Sequence, residues 1–177
     1  MNGQLKILLY IGLVVGIFYF LQTKYDLFDI SLENTLSDIK REEVSNTESE
    51  SNLEILSSDG QKIIVRLEIA DTQDLRKQGL SGREELGDYQ GMLFIFDTQG
   101  EYPFWMNEML IPLDIIFVNY AGYIVDIKED LQPCTDECPS IKSEKPFMYA
   151  LEVNTGFAEI NKVDIGNAVI FNISSEE

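Results

Sequence analysis

The stretch LEILSSDGQKIIVRLEIA, residues 53–70, decides the fold class. In its second half Ile63, Val65, Leu67 and Ile69 recur at every second position, the period of a strand with one buried face. Its first half ends in Ser57-Ser58-Asp59-Gly60, a cluster that supplies turn geometry between two β-type runs. Two strands joined by a tight turn predict an antiparallel hairpin. Further strand-like runs follow at 92–96, 103–106, 113–118, 123–127, 149–153 and 168–173, punctuated by Gly100, Gly122 and Gly156. Short helices are expected over 72–78, capped by Asp71 or Thr72 and stopped by Gly79, and over 157–161. Seven or eight short strands with two small helices predict an α+β domain. It would be mainly antiparallel β and barrel-like, without internal repeats.

Upstream of this domain the chain changes character twice. Residues 7–21, ILLYIGLVVGIFYFL, carry no charge, and 5–23 add only Lys6, Gln22 and Thr23 as polar groups. Nineteen helical residues reach roughly 28 Å, close to the ~30 Å of a hydrocarbon core. Lys6 and Lys24 flank the run and Tyr19 and Tyr25 suit the interface. No Ala-x-Ala site and no lipid-accepting Cys follows, which favours an uncleaved N-terminal transmembrane helix over a removed signal peptide. A buried core helix would need an amphipathic face, which this run lacks. The expected organisation is a signal anchor at 1–24, an acidic linker at 25–52, a globular domain at 53–173 and a tail at 174–177. Within the linker, 26–39 hold a partial helical stripe, and 40–52 (KREEVSNTESESN) have almost nothing to bury. A flexible tether of about twenty residues reaches roughly 25 Å. The short tail before the anchor and the acidic mass after it place the domain outside the cytoplasm, in a single-pass protein of the cell membrane.

Charge and composition exclude several functions. Of 13 Lys+Arg, Lys6 and Lys24 precede Tyr25, while all 31 Asp+Glu follow it, leaving the remainder at a net −20. Such a surface repels phosphate backbones, so no nucleic-acid partner is expected. With no His among the 177 residues, imidazole chemistry is excluded. Phosphate-loop, dinucleotide and nucleophile-elbow motifs are missing, and 126–130 lack EF-hand spacing, so no cofactor and no metal is implied. Cys134 and Cys138, between Pro133 and Pro139, read most simply as a disulfide in an oxidising compartment. A free pair, or metal or redox chemistry, are the alternatives.

The densest unusual stretch is Tyr102-Pro103-Phe104-Trp105-Met106-Asn107, followed by Ile111-Pro112-Leu113-Asp114. It reads either as an aromatic core strand or as the wall of a concave site. In the second case Trp105 and Met106 line the site, with Asn107, Asp114 and Arg83 as polar contacts. Arg83 could equally pair with a carboxylate.

These runs resemble a bacterial and archaeal domain-of-unknown-function family, number 192, over about residues 53–172. The resemblance is carried by Arg76-x-x-Gly79-Leu80-x-x-Arg83, Gly91-Met92-Leu93-Phe94-x-Phe96, Phe104-Trp105-Met106 and Ile111-Pro112-Leu113-Asp114-x-x-Phe117. Gly122-x-x-Val125, Pro133-Cys134…Cys138-Pro139, Tyr149-Ala150-Leu151-Glu152-Val153-x-x-Gly156 and Ile165-Gly166 complete it. It implies a small β-rich domain, often behind a signal peptide or anchor, with no assigned reaction. The family's Trp-Met-Lys-Asn-Thr becomes Trp105-Met106-Asn107-Glu108-Met109 here, one positive charge fewer and one negative charge more. Arg83, Trp105, Asp114 and Glu152 keep the pattern and are expected to share a pocket with Met106 and Asn107. Three functions remain in view. One is a ligand-binding or accessory module for an envelope polymer, peptide or small molecule. The second is an envelope hydrolase or transferase using Asp114 or Glu152 with Arg83, and the third is a structural or assembly protein.

Overall fold

The computed structural model describes residues 11–21 and 51–174, and the chain divides into two units, Met1–Glu48 and Ser49–Glu177. In the first unit residues 11–21 form helix α1, with Ile11, Leu13, Val15, Ile17 and Phe18 exposed. Among the described residues no helix is long and apolar enough to cross a membrane. Residues 5–10 and 22–23 of the expected span, and nearly all of the expected linker, lie outside the described residues.

The second unit holds strands β1 (Asn52–Leu56), β2 (Lys62–Ala70), β3 (Gln90–Gly100), β4 (Leu113–Val118), β5 (Ile124–Leu131), β6 (Phe147–Asn154) and β7 (Ala168–Asn172). Helix α2 (Gln73–Gln78) follows β2, and α3 (Phe157–Asn161) follows β6. The hairpin expected from 53–70 is present, with Leu53 opposite Val65 and Ile55 opposite Ile63. Asp59 binds the turn together, accepting from Ser57 Oγ and from Gln61 N. Thr72 caps α2, accepting from Leu75 N at 3.3 Å, and Gly79 ends it at a positive φ of 51°. The run at 103–106 forms no strand. Only Phe104 pairs there, by an isolated bridge to Ile141, because Pro103 has no N–H to extend a ladder.

One seven-stranded sheet runs in the order β5-β4-β6-β3-β2-β1-β7. Every pairing is antiparallel except β2 with β3, which α2 joins as a parallel crossover. The sheet curls until its edges meet at one end. There Tyr123 bridges Ala168, and Val169 N donates to Gly122 O at 2.7 Å. A Cβ on Gly122 would stand 2.9 Å from Val169 O, so the edges close only over a glycine.

Strand alternation separates two cores. Leu53, Ile55, Val65, Leu93, Ile116, Leu151 and Val153 face the barrel interior, which α3 plugs with Phe157 and Ala158. The other face of β3, β4 and β6 carries Met92, Phe94, Ile115, Phe117 and Ala150, covered by Phe104, Met106 and Met109. All six residues of β4 are therefore buried, which explains its continuous apolar run. The cover is made by the β3–β4 and β5–β6 connections, zipped together by Phe104 N to Ile141 O at 2.9 Å and Cys134 N to Met106 O at 3.2 Å. Cys134 and Cys138 form a disulfide within the second connection.

Candidate functional site

A cleft of about 780 Å³ opens on this covered face, between α2, the outer side of β3 and the connection around residues 102–109. The strand period builds it: Phe94, Phe96 and Glu152 point to the same side of the sheet as Met92, with Met92 opposite Glu152 in register. Phe94 and Phe104 meet edge to face with centroids 5.2 Å apart, and Tyr102 stacks on Phe96 at 3.9 Å. Trp105 stands on the rim, 53 % exposed. Gln78, Asn107 and Glu108 add polar groups to the mouth.

Glu152 lies against this cleft from the middle of the sheet, 6 % exposed. Its Oε2 has no hydrogen-bond partner, and no other buried side-chain nitrogen or oxygen among the described residues is left so. Burial favours the uncharged acid and pushes its pKa from 4.5 to about 8. At neutral pH Glu152 is thus a protonated acid that both donates and accepts. Gly79 approaches closely: a Cβ there would sit 3.4 Å from the Phe94 ring and 4.0 Å from Glu152 Oε2.

The sequence candidates divide. Trp105, Asn107 and Glu152 share the cleft. Met106 is buried in the core on the inner side of the cover and does not line the cleft. Arg83 is engaged elsewhere: its two terminal nitrogens bind both Glu68 carboxylate oxygens, and this pairing raises its pKa. Asp114 points into the barrel instead. It is fully buried, with Oδ1 accepting from Asp130 N at 3.0 Å and Oδ2 from Ala158 N at 3.1 Å. That second bond caps the start of α3, where Gly156 offers no side chain. Its parity on β4 is opposite to that of Ile115, which separates it from Glu152.

The basic side chains at the cleft are those of Arg76 and Lys77, not Arg83. Arg76 is the less exposed of the two. Its guanidinium donates to the carbonyls of Asp71 and Ile95 and lies 5.2 Å from the centroid of Phe96. The helical segment after Thr72 signalled that Arg76 precedes Gly79 by one turn, but not that β3 runs beneath it. A wider depression of about 940 Å³ lies between Ser58, Ile127 and Lys162–Ile165, and it holds no unpartnered buried polar atom. Among the described residues no three His, Cys, Asp or Glu are grouped to hold a metal. Asp126, one of the acids considered for calcium, is occupied. Burial pushes its pKa up, but Glu144 N, Lys128 and Ile127 N outweigh this and hold the carboxyl below its usual value.

Residues 54–171 match the DUF192 family, described as an uncharacterized ACR, and the chain belongs to that family. A crystal structure described as "a putative transcription regulator" from Sinorhizobium meliloti 1021 is similar, with a TM-score of 0.65 and 27% identity, covering 70% of this chain and 95% of that one. A protein of unknown function from Novosphingobium aromaticivorans DSM 12444 gives a TM-score of 0.63 and 30% identity, covering 67% of this chain and 83% of that one. No curated protein matches.

Proposed function

We propose that this DUF192 chain is a membrane-tethered, extracytoplasmic binding module that takes an envelope-derived ligand in the Trp105–Glu152 cleft. The observation that carries the reading is the Glu152 Oε2 atom, buried without a partner against an aromatic-walled cleft. An unsatisfied buried polar group costs about 1–3 kcal/mol, a cost that a ligand's complementary group would remove. The apolar run at 5–23 supports the tether, and the Cys134–Cys138 disulfide suits an oxidising compartment. The regulatory role named for the Sinorhizobium meliloti protein is not carried over, since a net −20 beyond Tyr25 opposes DNA binding.

The competing reading is acid–base catalysis. It draws on the burial of Glu152, which pushes the pKa up to about 8, as suits a general acid. Neither Arg83 nor Asp114 stands ready to assist, because each is held by its own partners. A screen of glycans, peptides and small metabolites by resonance perturbation tests the binding reading. A ligand that moves Phe94, Trp105 and Glu152 and weakens at least tenfold in Trp105→Ala is the expected result. Ligands that leave the cleft unperturbed, or that bind Trp105→Ala as tightly, overturn it.

A further inference from the structure

We propose that the occupant of the cleft is an organic ammonium ion, a primary amine on an apolar or aromatic body, seated with its head group on Glu152. The inference rests on the reading of the cleft as a binding site. An unpartnered carboxyl oxygen, once ionised, is completed by a donor, and an ammonium ion has three. The walls supply what the rest of such a ligand needs: Phe94 and Phe104 present apolar surface to its body, and Trp105 adds an aromatic rim. The field of a chain with net charge −18 draws cations toward its surface and repels anions.

The charged and titratable groups around the cleft agree with this. Glu108, on the 102–109 connection, adds a second acid at the mouth, and Tyr102 is the other titratable group there. From α2 come Arg76 and Lys77. Arg76 is held by two backbone carbonyls and the Phe96 ring, and Lys77 is exposed to water, which screens it. Among the described residues Glu152 forms no ion pair with a lysine or arginine. Asn107 puts an uncharged amide in the cleft wall. A divalent metal fits poorly, with only Glu108 and Glu152 as acids in the lining and no ligating cluster among the described residues.

Binding an ammonium ion to the protonated acid releases one proton to water and leaves a carboxylate–ammonium pair. Three phenylalkyl probes separate the chemistries: 2-phenylethylamine, the uncharged 2-phenylethanol and the anionic 3-phenylpropanoate. Each is titrated calorimetrically into the full chain in detergent micelles, while the Glu152 side-chain carbon resonance is followed. The amine is expected to bind at least tenfold tighter than the alcohol, and the anion weakest. Its affinity should rise close to tenfold per pH unit between about pH 6 and 7.5 and level off above about 8, with about one proton released per amine at pH 7. Glu152→Gln should erase both the preference and the pH slope, and Asn107→Lys should weaken the amine at least tenfold. If Glu152→Gln does not fold, the wild-type pH profile and the three-probe comparison decide alone. Equal binding of alcohol and amine with Glu152 still protonated overturns the ammonium assignment and leaves the binding site standing. Absence of binding by all three also overturns the assignment, whereas the binding reading falls only if the wider screen is empty too.

Discussion

At the scale of single residues, two buried carboxylic acids on neighbouring strands have opposite fates. Asp114 is satisfied by two backbone amides, whereas Glu152 Oε2 is buried with no partner. Asp114→Asn must present an NH₂ to one of two N–H donors, so it should lose about 1–3 kcal/mol in urea unfolding without altering ligand affinity. A variant that keeps full stability but loses function would instead restore Asp114 to the site. For Glu152 the pH dependence has a definite sign. Unfolded, the group ionises near 4.5; folded, it holds its proton to about 8. Between those values the folded state binds the extra proton, so this group makes stability fall as pH rises, by about 1.4 kcal/mol per pH unit. Glu152→Gln should flatten that slope and be the more stable protein above about pH 8. Parallel wild-type and variant curves from pH 5 to 8 would contradict the burial of this acid.

At the scale of elements, the site exists because two connections cover the outer face of the sheet. The β3–β4 connection delivers Phe104, Trp105 and Asn107, and the β5–β6 connection holds it down through the Phe104–Ile141 and Asn107–Cys134 bridges. Cys138 Sγ lies 3.8 Å from Asn107 Oδ1, so the disulfide loop abuts the cleft wall. Closing so short a loop is worth about 2 kcal/mol by chain entropy. The Cys134→Ser/Cys138→Ser double variant should lose about that much in thermal unfolding. It should show increased amide exchange at residues 104–109 while β1 and β7 stay protected. Uniform exchange across the sheet would mean that the cover and barrel unfold as one unit. Much of this level was legible beforehand. The hairpin, the Thr72 cap and Gly79 stop, and α3 follow from local rules about period two, capping and left-handed glycine. The run at 103–106 misled because its alternation is real, with Phe104 and Met106 buried and Trp105 exposed, yet its partners lie in a loop.

For the whole molecule, tether and domain are separable in sequence, and the proposed membrane attachment belongs to the first alone. Removing residues 1–24 should release the chain from membranes and leave the unfolding midpoint of the domain unchanged. Retention on membranes after that deletion would place the attachment surface within residues 25–177. The barrel itself is long-range: β1 pairs with β7 across the whole domain, and β3 lies between β2 and β6. By itself the sequence determined the charge division, the loss of imidazole chemistry, the strands and caps, and the α+β class, because each depends on composition or on neighbours a few residues apart. Only the tertiary structure decided that Glu152 Oε2 is orphaned beside a cleft, that Arg76 and Lys77 line that cleft in place of Arg83, and that Asp114 serves the barrel. Those outcomes depend on strand parity and on which connection covers which face. Burial is a property of residues far apart in the chain, so an acid's surroundings cannot be read from its flanks.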